Sequence, residues 1–358
     1  MNIQRATKSY ESWMRSCMPV VKSDLSSKHS QMRKSLFLFL RGTFYRWAQL
    51  WPNVCSELCR APKVLAVGDL HLGSFGTWRD AEGRICWGVD DFDESYPLPY
   101  TSDLVRLAAS VKIGIDSGDL TLSMKDGCDA ILQGYQETLK NGGCPFVLAE
   151  NEQYMEKLGI EAIKAPEEFW RKLTHLPAVH RRIPRDAKRA LERTLPQPRP
   201  HYQVVRRRAG LGSLGQHRFV AIANWDGGHI AREAKAMLPS ACIWLTGRLG
   251  RHQSFYEQAI QKAVRSRDPF QKIEGEWLIR RLSPESNPIE ITDLPKRRDE
   301  ERLLHAMGSE AANVHLGSRH AVASILKDMQ RRKPNWLRSA ARDMAKVTEK
   351  DWKKYSEA

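Results

Sequence analysis

"AGLGSLGQHRFVAIANWDGGHIAREAKAML" (Ala209–Leu238) is the stretch on which the fold turns. Gly210, Gly212 and Gly215 stand in GxGxxG spacing, which lets backbone N–H groups approach phosphate closely. In a dinucleotide-binding unit such a loop runs from a strand into a helix. Here "HRFVAIANW" follows, rich in β-branched and aromatic residues and without a helical period. The loop therefore joins two strands, "HYQVVRRR" before it and "HRFVAIANW" after it. The Asp226-Gly-Gly break is a hairpin signal, which makes "HIAREAKAML" a third strand. Taken alone, the same glycines also suit an ordinary hairpin turn.

A glycine loop between two strands is the arrangement that covers ATP phosphates in protein kinases. It needs a cation on the third strand to hold the phosphates. Arg232 and Lys235 are the candidates, and their spacing puts them on opposite faces of a strand. Only one can face a nucleotide. Glu257, in "SFYEQAIQKAV", is a candidate acidic partner on a following helix.

Far upstream, "VLAVGDLHLGSFGTWR" (Val64–Arg79) reads as a buried strand that delivers Asp69 and His71 to its end. It suits a metal-dependent phosphoesterase or an Asp that orients a nucleophile for phosphoryl transfer. A second strand, Ile85–Val89 in "GRICWGVDDFDES", runs into Asp90, Asp91, Asp93 and Glu94. Mg²⁺ takes oxygen ligands, usually one or two carboxylates plus substrate phosphates. A two-metal phosphoesterase also needs an Asn-His pair and a GHxH run, and the chain has neither. Phosphoryl transfer needs a base-like Asp, a metal Asp after the next strand, a glycine loop and a cation. All have candidates.

The chain has 358 residues and 41% hydrophobic residues, enough for a sizeable core in a two-lobed enzyme. Its net charge of +15 favours polyanions such as nucleotides, nucleic acid or an acidic acceptor. Two basic blocks, 180–208 and 331–358, carry much of that excess and read as solvated helix faces and a tail. No nucleic-acid motif accompanies them. The seven cysteines are scattered, none in a CxxC pair, as expected of reduced thiols in a cytoplasmic protein. No apolar run suits a membrane span and no signal-peptide core opens the sequence. Residues 1–60 read as helical. "TSDLVRLAASVKIGI" starts a helix with Thr101 or Ser102 as cap, and "PQPRPHY" (Pro196–Tyr202) reads as a linker. Strand character recurs at "EWLIRRLSP" and "NPIEITDL", and the pattern is helical from Asp299 onward.

In order, "FLRG" (Phe39–Gly42), "GDLHLGSFG", "GVDDFDE", "DLVRLAAS" (Asp103–Ser110), "GLGSLG", "REA" and "AANVHLG" (Ala311–Gly317) resemble the bacterial family called domain of unknown function twenty-two fifty-two. That family is similar to the aminoglycoside-phosphotransferase and protein-kinase superfamily, circularly permuted so that the catalytic half precedes the glycine loop. The resemblance implies an α+β, two-lobed fold. Residues 1–195 would form a catalytic large-lobe segment, 196–298 a small β-rich nucleotide-binding lobe, and 299–358 helices returning to the large lobe. It implies ATP and Mg²⁺ as cofactors and leaves the acceptor unknown, while the basic charge of the chain favours an anionic one. Asp69 matches the catalytic-loop aspartate and His71 the histidine beside it. Asp91 and Asp93 match the acidic metal run, Asp103 a helix start that holds the catalytic loop, and Gly210, Gly212 and Gly215 the glycine loop.

Three positions depart from the family pattern. Ser74 stands where a metal-binding Asn is usual, Asp90 replaces the Asn that opens the acidic run, and Arg232 replaces the nucleotide lysine. Ser74 and Asp90 are therefore carried as metal candidates, and Arg232 as the nucleotide counter-charge. The leading expectation is an ATP- and Mg²⁺-dependent phosphotransferase. The alternative is a pseudokinase-like nucleotide-binding or regulatory protein, and a metal-dependent phosphoesterase is third.

Overall fold

The computed structural model describes residues 1–151, 166–179, 183–247, 254–286 and 299–357. Within them the chain is a mixed α+β protein with helices and several antiparallel sheets. Four helices come first: α1 (Ile3–Cys17), α2 (Lys22–Lys34), α3 (Leu36–Gly42) and α4 (Phe44–Val54). Asn2 and Ser35 cap α1 and α3 by accepting from the N–H groups of Arg5 and Leu38.

The strand β1 (Lys63–Ala66) follows, then β2 (Phe75–Arg79), β3 (Ile85–Val89) and β4 (Tyr96–Pro99). β1 pairs antiparallel with β4, and β2 with β3. β3 has the bounds its sequence pattern predicts. Phe75 and Trp87 stack at 5.1 Å on this hairpin, a pair worth about 0.5–1.5 kcal/mol beyond its buried area. Both GDLH and the acidic run leave these strands at the same end, because Phe75 opposes Val89 in register.

Next come α5 (Tyr100–Ser117), α6 (Met124–Asn141), β5 (Phe146–Val147), α7 (Leu148–Asn151), α8 (Pro166–Thr174) and α9 (Arg185–Glu192). α5 begins at Tyr100 behind Pro99, so neither Thr101 nor Ser102 is its cap. The Thr101 hydroxyl instead donates to the Leu58 carbonyl at 2.9 Å. The helix is buried on nearly all sides from Tyr100 to Gly114, which explains its lack of a polar stripe.

The glycine-loop region forms a five-stranded antiparallel sheet from β6 (Tyr202–Arg206), β7 (Arg218–Trp225), β8 (Gly228–Ala236), β9 (Lys272–Glu274) and β10 (Trp277–Leu282), ordered β6-β7-β8-β10-β9. The Asp226–Gly227 turn joining β7 and β8 has positive φ at both residues (46° and 84°), as a two-residue hairpin favours. Between β8 and β9 lie α10 (Ala241–Leu245) and α11 (Tyr256–Lys262). The strand expected at residues 287–294 lies outside the described residues. The chain ends in α12 (Asp299–His315), α13 (Val322–Arg331) and α14 (Trp336–Ser356). α12 runs along α6 and α14 along α5. Close approach of the first pair requires glycine: a Cβ on Gly134 would stand 2.0 Å from the His305 carbonyl oxygen. One large apolar core joins these helices to the sheets, from Tyr10 and Trp47 through Leu104 and Ile279 to Met344. No helix among the described residues is long and apolar enough to cross a membrane.

Candidate functional site

β1 runs on into Val67-Gly68-Asp69, and the first turn of α5 holds that turn. Asp103 accepts from the N–H groups of Val67 (2.7 Å) and Gly68 (2.9 Å). It also accepts from His315 Nε2 at 3.0 Å. His315 Nδ1 then faces the Tyr135 hydroxyl at 2.8 Å, so Tyr135 donates to it. This buried Asp–His–Tyr chain gives the "VHLG" motif a structural purpose. One helical turn after Asp103, Arg106 reaches the Asp69 carboxylate, its Nε donating to Oδ1 at 2.7 Å. Arg106 is fully buried, donates to the Leu40 carbonyl at 2.9 Å and lies over the rings of Phe44 and Trp47. Asp69 thus has a fixed orientation. Burial raises its pKa above the ordinary range, partly offset by Arg106.

His71 sits beside Asp69, with Nε2 3.9 Å from Oδ1. Its Nδ1 accepts from the Gly73 N–H at 3.1 Å. Burial, then Arg41 and Arg106, push the imidazole well below its usual pKa, so it stays neutral. Ser74 is used inside the loop: its hydroxyl accepts from His71 N–H at 3.0 Å and donates to the Asp69 carbonyl at 2.9 Å. Both bonds make Ser74 a brace for the Asp69 turn, on the cavity lining it shares with the acidic run. Its carbonyl accepts from Asp90 N–H at 3.1 Å, which ties the two loops together.

Asp90, Asp91, Asp93 and Glu94 all line a cavity of about 420 Å³ that Asp69 and His71 also line. Lys235, near the end of β8, pairs with Asp93 of this lining, with Asp91 Oδ1 3.6 Å away. The strand's alternation settles which cation faces in. Arg232 points to the opposite face, where its guanidinium lies 3.9 Å from the Phe270 ring centre and donates to the Thr194 and Ala231 carbonyls. The sequence assignment of Arg232 as the site cation is therefore corrected to Lys235. Glu257 is exposed and bonded to Gln261, away from Lys235. Lys235's partners come from the acidic run instead.

Glu233 shares the inward face with Lys235. It is fully buried and accepts from Arg207, Arg218 and Arg280. All three arginines line the cavity. Their approach from three separate segments is invisible in a linear reading.

The Gly210–Gly215 loop crosses above Asp69. A Cβ on Gly212 would stand 3.4 Å from the Arg41 carbonyl and 3.9 Å from Asp69 Oδ2, so the loop backbone comes close to the carboxylate. Lys28 on α2 donates to the Gly212 carbonyl at 2.7 Å. Gly210 and Gly215 have positive φ (70° and 105°) and shape the turns at the loop's ends.

Among the described residues no three His, Cys, Asp or Glu side chains converge as a metal site. Asp91 and Asp93 nevertheless suit a Mg²⁺ whose shell substrate phosphates complete, because Asp93 Oδ1 is buried without a hydrogen-bond partner. The acids differ in character. Asp91 keeps a low pKa beside Lys235, although burial opposes it, whereas burial and Asp91 push Asp90 and Asp93 up to about 6. Burial lifts Glu94 from the usual 4.5 to about 8, although it accepts from Ala241 N–H. A raised carboxyl pKa means that the folded state holds a proton the unfolded state has lost. Stability from Glu94 is therefore full below about 4.5 and is lost as pH rises towards about 8. Glu94→Gln should leave the melting temperature nearly unchanged at the acid end and raise it increasingly towards pH 8. A difference that does not grow with pH, followed by thermal melts, would refute this.

Residues 20–194 match the model of a family described as "Uncharacterized protein conserved in bacteria (DUF2252)". The match includes Asp69, the acidic run and Asp103, and ends before the glycine loop. No curated relative and no solved structure matches the chain.

Proposed function

We propose that this chain, which through residues 20–194 belongs to the bacterial DUF2252 family, is an ATP- and Mg²⁺-dependent phosphotransferase with a circularly permuted, two-lobed kinase-like fold. In this reading the five-stranded sheet is the nucleotide lobe and the helices on either side of it in sequence form the other. One observation carries it. Asp69, the acidic run and Gly210–Ser213 of the glycine loop all line one cavity, although they come from distant parts of the chain, and Lys235 pairs with that acidic run.

Asp69 accepts the proton of the acceptor hydroxyl as it attacks. Arg106 fixes the carboxylate's direction, and the raised pKa brings its basicity closer to neutral pH. The glycine loop offers backbone N–H groups to the phosphates, and Lys235, with Arg218 and Arg280, offsets their charge. Asp91 and Asp93 would hold Mg²⁺, which when bound neutralises phosphate charge. Lys235 must then share its carboxylate partners with the incoming ligand.

The commitment of the Ser74 hydroxyl to the Asp69 loop favours a second reading, a pseudokinase-like protein that binds nucleotide with little turnover. Binding isotherms for Mg²⁺-ATP test the shared core of both. Wild type should bind in a Mg²⁺-dependent way. Lys235→Ala should weaken binding by about 10- to 100-fold, the worth of a hydrogen bond to a charged group. Arg232→Ala should lower the melting temperature yet keep ATP affinity near wild type. No Mg²⁺-ATP binding by wild type would defeat both readings, and loss in Arg232→Ala with retention in Lys235→Ala would reverse the cation assignment. Phosphoryl transfer to an acceptor then separates enzyme from pseudokinase.

A further inference from the structure

The "FLRG" motif plays no part in the mechanism above, yet α3 delivers its Arg41 to the cavity beside Asp69. Among the described residues no hydrogen bond or ion pair engages the Arg41 guanidinium, whose one ring contact is Phe37 at 5.9 Å. It lies against Gly73 in the catalytic turn, where a Cβ would stand 3.4 Å from its Cζ. Lys28 enters the same part of the cavity from α2. It is buried, and its ammonium spends one donor on the Gly212 carbonyl with no carboxylate in ion-pair range among the described residues. The other cations at or beside the cavity differ: Arg207, Arg218 and Arg280 already share Glu233, and Lys235 has Asp93. Asp69 gives its Oδ1 to Arg106 and acts on Arg41 only at longer range, with no ion pair between them among the described residues. Two confined cations with no direct ion-pair partner among the described residues are costly even beside longer-range carboxylates, and an anionic ligand relieves that cost. Burial also drags the Lys28 pKa down to about 8, which an arriving anion would reverse.

Resting on the phosphotransferase reading, we infer that the acceptor is a hydroxyl compound bearing a carboxylate or phosphate, and that Arg41, with Lys28, receives this anion and sets acceptor specificity. The planar guanidinium suits bidentate contact with either group. Cationic acceptors, by the same charge, are excluded from this wall.

The test uses four small probes on the full chain: glycerol, ethanolamine, glycerate and glycerol phosphate. Binding of each is titrated with Mg²⁺-ADP present and absent, beside a separate Mg²⁺-ATP titration. Glycerate or glycerol phosphate should bind at millimolar concentration or better, and which of them binds tighter identifies the anion. Glycerol and ethanolamine should not bind. Arg41→Gln should weaken anion binding about tenfold or more, with Arg41→Lys intermediate, while affinity for Mg²⁺-ATP changes far less. Absence of anion binding, equal binding of the neutral or cationic probe, or an equal loss of ATP affinity in Arg41→Gln would overturn the inference. The last outcome would assign Arg41 to the nucleotide. If ATP fails to bind wild type while the anions bind through Arg41, the phosphotransferase reading fails and the anion site stands alone.

Discussion

Asp69→Asn is expected to lower phosphoryl transfer by about 10²- to 10⁴-fold, the usual worth of a general base. ATP binding should survive, because the asparagine oxygen can still accept from Arg106 and the glycine loop and Lys235 are unchanged. Some stability is lost as well, since Arg106 is fully buried and would face an amide in place of a charge. The two effects separate readily. Melting temperature reports the lost ion pair, ATP affinity reports the nucleotide cradle, and single-turnover transfer reports the base. Transfer that stays at the wild-type rate in a folded Asp69→Asn protein would remove Asp69 from its role. Arg106→Lys offers a complementary contrast. It keeps a charge near Asp69 but loses the fork that reaches both the carboxylate and the Leu40 carbonyl.

Local pattern made several parts of this protein legible before any coordinates. The apolar run into GDLH, the strand Ile85–Val89 and the Asp226-Gly hairpin each depend on residues close in sequence, and each lies where its pattern predicts. The opposition of Arg232 and Lys235 was equally legible from strand alternation. Which of them faces the acidic run was not, because the orientation of β8 depends on β7 and β10 and on what each face meets. The bracing role of Ser74 is hidden for a related reason: a hydroxyl can bind metal, but this one also bonds two backbone groups of its own turn, which only the folded loop reveals. Arg106 had a readable signal, since the Asp-x-x-Arg spacing puts it one turn from Asp103 on the same helix face. The bond between Asp103 and His315 has none, because it joins residues 212 positions apart in sequence.

Glu233→Gln should be the most destabilising single exchange on the glycine-loop sheet, by about 3–5 kcal/mol, as when one partner of a buried charge network is removed. Burial alone would raise the Glu233 pKa, but Arg280, Arg218 and Arg207 outweigh it and hold the carboxylate well below its usual 4.5. In the wild type this contribution is present above about 4.5 and is lost as pH falls through the depressed value. The glutamine variant should therefore be unstable at neutral pH and should lack that part of the acid transition. Its amide can accept at one oxygen only, while its NH₂ meets an arginine donor that needs an acceptor. The loss is a large share of a typical domain stability of about 5–15 kcal/mol, so urea unfolding should reveal it directly. Because all three arginines line the cavity, a polyanion can partly replace the missing charge. Inorganic tripolyphosphate should accordingly raise the melting temperature of Glu233→Gln more than that of wild type. A variant with wild-type stability would mean that packing, rather than the carboxylate, holds the arginines in place. A normal loss without tripolyphosphate rescue would mean that these arginines serve the fold and leave phosphate binding to Lys235 and the glycine loop.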